Sequence, residues 1–342
     1  MAYFDDVKDV ACLDLPWQRL SGCNILVTGA TGLIGSCLIE VLMSHPGIDY
    51  HIYAMGRNEE RARARFAEYF SDPFFHFLKH DVSKPLQTDV DFQFVIHAAS
   101  DASPSAFANY PVEVIKSNIL GVSGLMDYGI CHGLRRFLYV SSGEVYGEGD
   151  GRDFTEEYSG YVNPLSPRSC YPSSKRAAET LCVSYGVEHA IDVVIARPCH
   201  IYGPNFTESD NRVYAQFIRN VLSGQDILMK SDGKKFRSWC YVVDCVAAIL
   251  YILFKGESGQ AYNIADPSSN ITIKQLAEMI ADICGRKVIV DIPSHSEEAG
   301  YGVISRSTYS TEKLQSLGWK IYGSMRMKIA STIEHRKEVS HI

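Results

Sequence analysis

The chain has 342 residues, 46% of them hydrophobic, which is enough for one large or two modest cores. Its formal net charge is −7 at pH 7, with both signs spread along the chain, and this excludes the basic stripe of a nucleic-acid binder. The N-terminus is acidic where a secretory leader would be basic, no apolar run reaches membrane-spanning length, and the ten cysteines lack CxxC or Cys/His metal spacing; a cytoplasmic protein with reduced thiols, no membrane segment and no metal site is expected.

In chain order, apolar strand-like runs alternate with helical patterns. Strands are predicted at 24–29, 51–56, 75–80, 92–99, 136–142 and 192–198, and helices at 33–43, 58–70, 107–131 and 173–189. The short basic runs at 57–66 and 133–137 read as solvated helix or loop faces. Near-continuous apolar strands separated by helices imply α/β architecture: a Rossmann-type, doubly wound parallel sheet covered on both faces, with ligands outside the carboxyl ends of its strands. After residue 198 the pattern changes. Residues 199–211 are polar and turn-rich, 213–225 read as a helix ended by Gly224, 245–254 have the length of a buried helix, and 270–342 do not fit the alternation. The expected division is a dinucleotide-binding domain at 1–198, joined by crossing segments near 240–265, and a smaller C-terminal α/β substrate lobe at 199–240 and 266–342.

The segment "ILVTGATGLIG" ends the first strand and opens the first helix. Gly29 permits a tight turn, Gly32 lets the backbone approach a pyrophosphate, and Gly35 lets the helix pack on the strand. With Thr31, Leu33 and Ile34 they form the candidate dinucleotide loop, whose helix N-terminus offers unpaired N–H groups to phosphate. At the end of the second strand, "AMGRNEE" has no acid, and Arg57 suits the 2′-phosphate of NADP; Glu59 or Glu60 reaching back would suit NAD. The phosphate state stays open at this point. Asp81, followed by Val82, stands where it can bond an adenine or simply start a turn. Ala98 and Ala99 bring small residues past the pyrophosphate.

The segment "SCYPSSKRAAE" carries the chemistry. Pro172 suits a first helical position, which places Tyr171 at or near the cap with Lys175 on the same face. An ammonium and the positive helix end both favour phenolate, so a phenol tuned downward exchanges a proton with an alcohol while hydride leaves the same carbon for a nicotinamide. Lys175 is also placed to hold the nicotinamide ribose. Ser142, in "YVSSGEVYG" at the end of the fifth strand, is the candidate to hold the substrate oxygen.

Together these motifs resemble the extended short-chain dehydrogenase/reductases, and within them the NAD-dependent epimerase/dehydratase family that modifies nucleotide sugars. The resemblance runs from about Asn24 to Trp319 and includes "VTGATGLIG", "HAAS", "SNILGV", "SSGEVYG", "YPSSK", "RPCHIYGP" and "RSWCYVVD". It implies catalytic positions for Ser142, Tyr171 and Lys175, a diphosphate-directed Arg237, and Asn118 and Pro198 on the cofactor side. It also implies a homodimer through the helices at 107–131 and 173–189. Around Tyr171 the chain is most similar to UDP-glucuronate decarboxylases, and Glu144, shared with 4,6-dehydratases, would be the base at C5.

Two positions depart from the family pattern. Gly143 stands where dehydratases carry aspartate and decarboxylases serine, and His200 stands where asparagine is common; both lie on the expected substrate side. The resemblance implies transient C4 oxidation followed by decarboxylation or dehydration. Gly143 favours simple 4-epimerisation, Arg57 an NADPH-dependent reductase, and a non-catalytic dinucleotide sensor is the remaining alternative.

Overall fold

The chain alternates strand and helix because its strand residues are apolar on both faces. The computed structural model describes residues 2–208, 210–291 and 305–340. Its strands are β1 Asn24–Thr28, β2 His51–Gly56, β3 Phe75–Lys79, β4 Phe94–His97, β5 Arg136–Val140, β6 Asp192–Pro198, β7 His200–Tyr202, β8 Ile227–Met229, β9 Phe236–Tyr241, β10 Gln260–Ile264, β11 Asp266–Thr272, β12 Val288–Val290 and β13 Arg306–Ser307. Its helices are α1 Ala2–Ala11, α2 Leu33–Met43, α3 Glu59–Arg65, α4 Pro104–Asn109, α5 Pro111–Cys131, α6 Cys170–His189, α7 Val213–Leu222, α8 Val242–Lys255, α9 Ile273–Ile283, α10 Glu312–Gln315 and α11 Met325–Ser340.

Seven strands make one sheet in the order β10–β6–β5–β4–β1–β2–β3, and every pair is parallel. Ile25 and Val27 of β1 pack on one face with Leu38, Val41 and Ile249, while Leu26 packs on the other with Val122, Met126 and Ala178. This period of two puts α2 and α8 on one side of the sheet and α5 and α6 on the other. The order reverses direction at β1 and β4, and the crevice at the carboxyl ends of these strands is where a doubly wound sheet binds its ligand.

A smaller sheet, β11–β9–β13 with β7 also on β9, and the pair β8–β12 lie outside the main sheet. β7 follows directly on β6, so the chain passes between sheets at Cys199. Within the substrate lobe expected at 199–240 and 266–342, residues 209, 292–304 and 341–342 lie outside the described residues.

Several expected boundaries shift for identifiable reasons. The helix expected over 107–131 is two helices, broken at Tyr110, because Pro111 lacks the N–H needed to continue a helix and instead opens the next one. The helix expected at 58–70 ends at Arg65. The helix expected at 173–189 starts at Cys170, after a 3₁₀ turn at Pro167–Ser169. Pro172 therefore sits in the first turn rather than at its first position, where its missing N–H still costs nothing. All ten cysteines are unpaired, but Cys12 and Cys131 are exposed rather than in the core.

The turn from β1 into α2 is a close backbone junction. A Cβ on Gly35 would strike the Gly29 carbonyl oxygen and lie 2.9 Å from its carbon. Gly35→Ala is expected to destabilise the protein by about 1–3 kcal/mol and to lower its NAD content, read by denaturant titration and cofactor release. An unchanged midpoint and cofactor content would contradict the packing argument.

Candidate active site

The dinucleotide side is built from backbone. Gly29 has φ +67°, a region other residues rarely adopt, and a Cβ there would lie 2.7 Å from the Ala98 carbonyl oxygen and 2.8 Å from the Ala99 nitrogen. The Thr28 hydroxyl accepts the Ala99 N–H (3.1 Å) and contacts His97 Nδ1 (2.7 Å), which ties β1 to β4 at the crevice. Gly32, exposed, precedes α2 with no side chain capping the helix. Leu33 is buried, whereas Thr31 and Ile34 are partly open. A bare helix N-terminus behind a glycine cradle fits the pyrophosphate of a dinucleotide.

The remaining cofactor-side candidates are distributed unevenly. Arg57 is exposed at the end of β2, in a depression shared with Asn58, Glu59, Glu60, Arg63 and Lys79. Glu59 is engaged by Arg63 at 2.8 Å, and Asn58 caps α3 through the Arg61 N–H. Asp81 Oδ1 accepts the Ser83 N–H (3.0 Å) and hydroxyl (2.9 Å), so it does start a turn, and these bonds hold its carboxyl below the usual range. Val82 packs with the apolar cluster on the α5–α6 face. Asn118 is fully buried; it donates to Ser174 Oγ (2.9 Å) and accepts from Ser100 (2.8 Å), clamping α5 to α6 beside the loop after β4. Pro198 ends β6, buried and in register with Ile264.

Among the candidate catalytic residues, Lys175 is 1% exposed. Its ammonium donates to the Val140 carbonyl at 2.9 Å and lies over the Tyr139 ring, 4.6 Å from the centroid. Burial pushes its pKa down to about 7, opposed by the Glu179 carboxylate. Nearby, His97 is pushed down to about 3 by burial and by Lys175. Tyr171 occupies the same face of α6, with its ring centroid 5.7 Å from the Lys175 nitrogen, and it stacks on Phe107 at 4.7 Å. Its phenol is not tuned downward as the sequence suggested. Burial first, and then the Glu144 carboxylate, push its pKa up, while a hydrogen bond from Ser142 and the Arg212 and Arg168 charges pull it back. Ser142, just past β5, also accepts the Glu144 N–H at 3.2 Å.

Glu144 meets Arg168 through both carboxylate oxygens, each at 2.9 Å. Arg168 in turn lies over Phe107, 4.5 Å from the centroid, and so supports the ring that stacks on Tyr171. Arg212, paired with Asp210, brings a further positive charge towards the phenol. Arg168 lies in the segment "SPRSCY", but neither it nor Arg212 has spacing that sequence reasoning could turn into a role.

Of the substrate-side candidates, Arg237 is 8% exposed on β9, and His200 lies on the neighbouring β7, in register with Trp239, two residues along β9 from Arg237. His200 is exposed to solvent, and the neighbouring protein and the Arg237 charge hold its pKa below the ordinary imidazole value. Gly143 is buried under Tyr309.

Among the described residues, no group of three or more His, Cys, Asp or Glu side chains is placed to hold a metal, and no helix is long and apolar enough to cross a membrane. Residues 25–265 match the NAD dependent epimerase/dehydratase family. The chain is 35% identical over 266 residues to UDP-glucuronic acid decarboxylase 6 of Arabidopsis thaliana, covering 77% of this chain and 75% of that protein. It is 30% identical over 320 residues to UDP-glucuronic acid decarboxylase 1 of Xenopus tropicalis, covering 93% and 73%. Among solved structures, UDP-glucuronic acid 4-epimerase of Bacillus cereus, in complex with UDP-glucuronic acid and NAD, superposes with a TM-score of 0.79 at 23% identity over 92% of this chain and 99% of that one. dTDP-glucose 4,6-dehydratase of Bacillus anthracis, in complex with NAD, does so with a TM-score of 0.79 at 22% identity over 93% and 98%. The parallel sheet, the glycine cradle and these matches agree, and the chain is an NAD-dependent enzyme of the NAD dependent epimerase/dehydratase family.

Proposed function

We propose that this enzyme oxidises a nucleotide-linked uronic acid at C4, decarboxylates the resulting ketone and reduces it again, with UDP-glucuronate as the leading substrate. The observation that carries the reading is the convergence of Tyr171, Ser142 and buried Lys175 at the carboxyl end of β5, with the Glu144–Arg168 pair beside them. The similarity to UDP-glucuronic acid decarboxylases supports the choice of a uronate.

The bound dinucleotide supplies a hydride acceptor and a positive ring that favours phenolate. The chain handles the protons. Tyr171 takes the proton of the C4 hydroxyl, and Ser142 holds that oxygen. Lys175 favours the phenolate by its charge and is placed to hold the ribose. A ketone at C4 makes the substrate a β-keto acid, so the carboxyl carbon leaves C5 as carbon dioxide and its electron pair passes into the ketone as an enolate. A proton then returns to C5, and reduction at C4 draws the phenolic proton back. Glu144 faces the C5 side, with Arg168 holding its carboxylate in place through both oxygens.

The two-lobe division proposed from the sequence assigns the nucleotide to the smaller sheet, where Arg237 would meet the diphosphate. In a homodimer, α5 and α6 would pair across a twofold axis; Val112, Leu120 and Val187, exposed on these helices, support that surface. Gly143 favours a second reading, 4-epimerisation, in which C5 is untouched.

A panel of UDP-, dTDP-, CDP- and GDP-sugars, with products followed by mass and NMR, separates the readings: loss of carbon dioxide is expected, and an unchanged mass would select epimerisation. Tyr171→Phe is expected to lower turnover by about 100-fold or more while NAD stays bound; normal turnover would remove Tyr171 from the mechanism. Lys175 gives a pH test. Its folded pKa of about 7 lies below the ordinary lysine value of 10.5, so the unfolded chain binds more protons between these values. The stability contributed at this position therefore rises with pH across that window. In cofactor-free protein, the melting temperature of Lys175→Met relative to wild type should be highest below about pH 7 and fall as pH rises towards 9. A difference independent of pH would show that Lys175 is charged throughout.

A further inference from the structure

Position 143 lies between Ser142 and Glu144 and has no side chain, yet the space that a side chain would fill is occupied. A Cβ built on Gly143 would lie 2.5 Å from both Cε1 and Cζ of Tyr309, and closer still to its hydroxyl. Tyr309 is 3% exposed and comes from the far end of the chain, in the segment that continues from β13. Its backbone is fixed on both sides of the ring. The Phe154 N–H donates to the Thr308 carbonyl at 2.8 Å, and the Ser310 N–H donates to the Phe154 carbonyl at 2.9 Å. The Tyr309 N–H donates to Ser238 Oγ at 3.3 Å. The ring packs between Phe154 and Tyr146, at 5.5 and 5.8 Å. The hydroxyl meets Ser307 Oγ at 2.7 Å, and Ser307 pairs in register with Arg237.

We propose that Tyr309 is a specificity-determining residue, whose phenolic oxygen takes the place of a side chain at position 143 and, with Ser307, presents neutral hydroxyls to the C5–C6 edge of the sugar. This rests on the reading above, in which Ser142 faces the C4 oxygen and Glu144 the C5 side. Glu144 already places one carboxylate at this wall, and a second at position 143 would repel a sugar that carries its own. Hydroxyls close to Arg237 instead donate to the C6 carboxylate. Gly143 is therefore the partner of Tyr309: only glycine leaves room for the ring.

The test uses the full-length enzyme with UDP-glucuronate as substrate and UDP as an inhibitor that lacks the sugar. Tyr309→Phe removes one oxygen and keeps the packing. Its kcat/KM for UDP-glucuronate should fall about 10-fold, the effect of one lost hydrogen bond, with melting temperature, NAD content and the inhibition constant of UDP unchanged. Should that variant fail to fold, Ser307→Ala asks the same question and should show the same split. Gly143→Ser should be nearly inactive, and Gly143→Ser/Tyr309→Ala should recover about 10-fold or more of the loss, because the two side chains compete for one space. Tyr309→Phe with unchanged kcat/KM, or a fully active Gly143→Ser, would overturn the proposal and leave the proposed function standing. If the wild-type enzyme turned over no nucleotide uronate, the functional reading would fail and this inference with it.

Discussion

The site depends on burying a lysine. Lys175 is almost completely out of water, and its ammonium is held by one backbone carbonyl, that of Val140, and by the face of Tyr139. Removing an ammonium from water is costly, so the surrounding structure has to fix its geometry closely. The constraint runs outward from there. Val140 ends β5, which places Ser142 two residues later at the rim; α6 must lie against that strand, and Asn118 and Ser174 clamp α6 to α5. The position of Tyr171 follows from that clamp, because it shares the helix face of the lysine.

The phenol and ammonium do not form a ready-made phenolate pair in the bare protein. Burial raises the phenol and lowers the lysine, so each group is held towards its neutral form. An arrangement of this kind is poised rather than ionised. Charges added at the crevice tilt it, and Arg168 and Arg212 already act in that direction. The Phe107 ring, which touches both Tyr171 and Arg168, joins Tyr171 to the Glu144 side, so the two proposed halves of the chemistry share one packed support.

Much of this was legible in the sequence. Parallel strands buried on both faces leave unbroken apolar runs, and for that reason the six expected strands and the glycine loop stand where the structure puts them, within a few residues. Tyr171 and Lys175 were legible because a spacing of four is a helix property. The boundary at Cys170 was not, since Pro172 is compatible with any position of a first turn; nor was the break at Tyr110, although Pro111 was its visible signal. The direction of the Tyr171 shift was misread because helix position was visible and burial was not. Tyr309 left no local signal at all, since its meaning comes from contact with Gly143, far away in the chain.

The central claim is that a hydrogen leaves C4 of the sugar for the bound dinucleotide and returns there. The most direct measurement uses UDP-glucuronate deuterated at C4 and locates the label in the product by NMR and mass. The account predicts that the decarboxylated sugar keeps its deuterium at C4. A product with solvent hydrogen at C4 would contradict it.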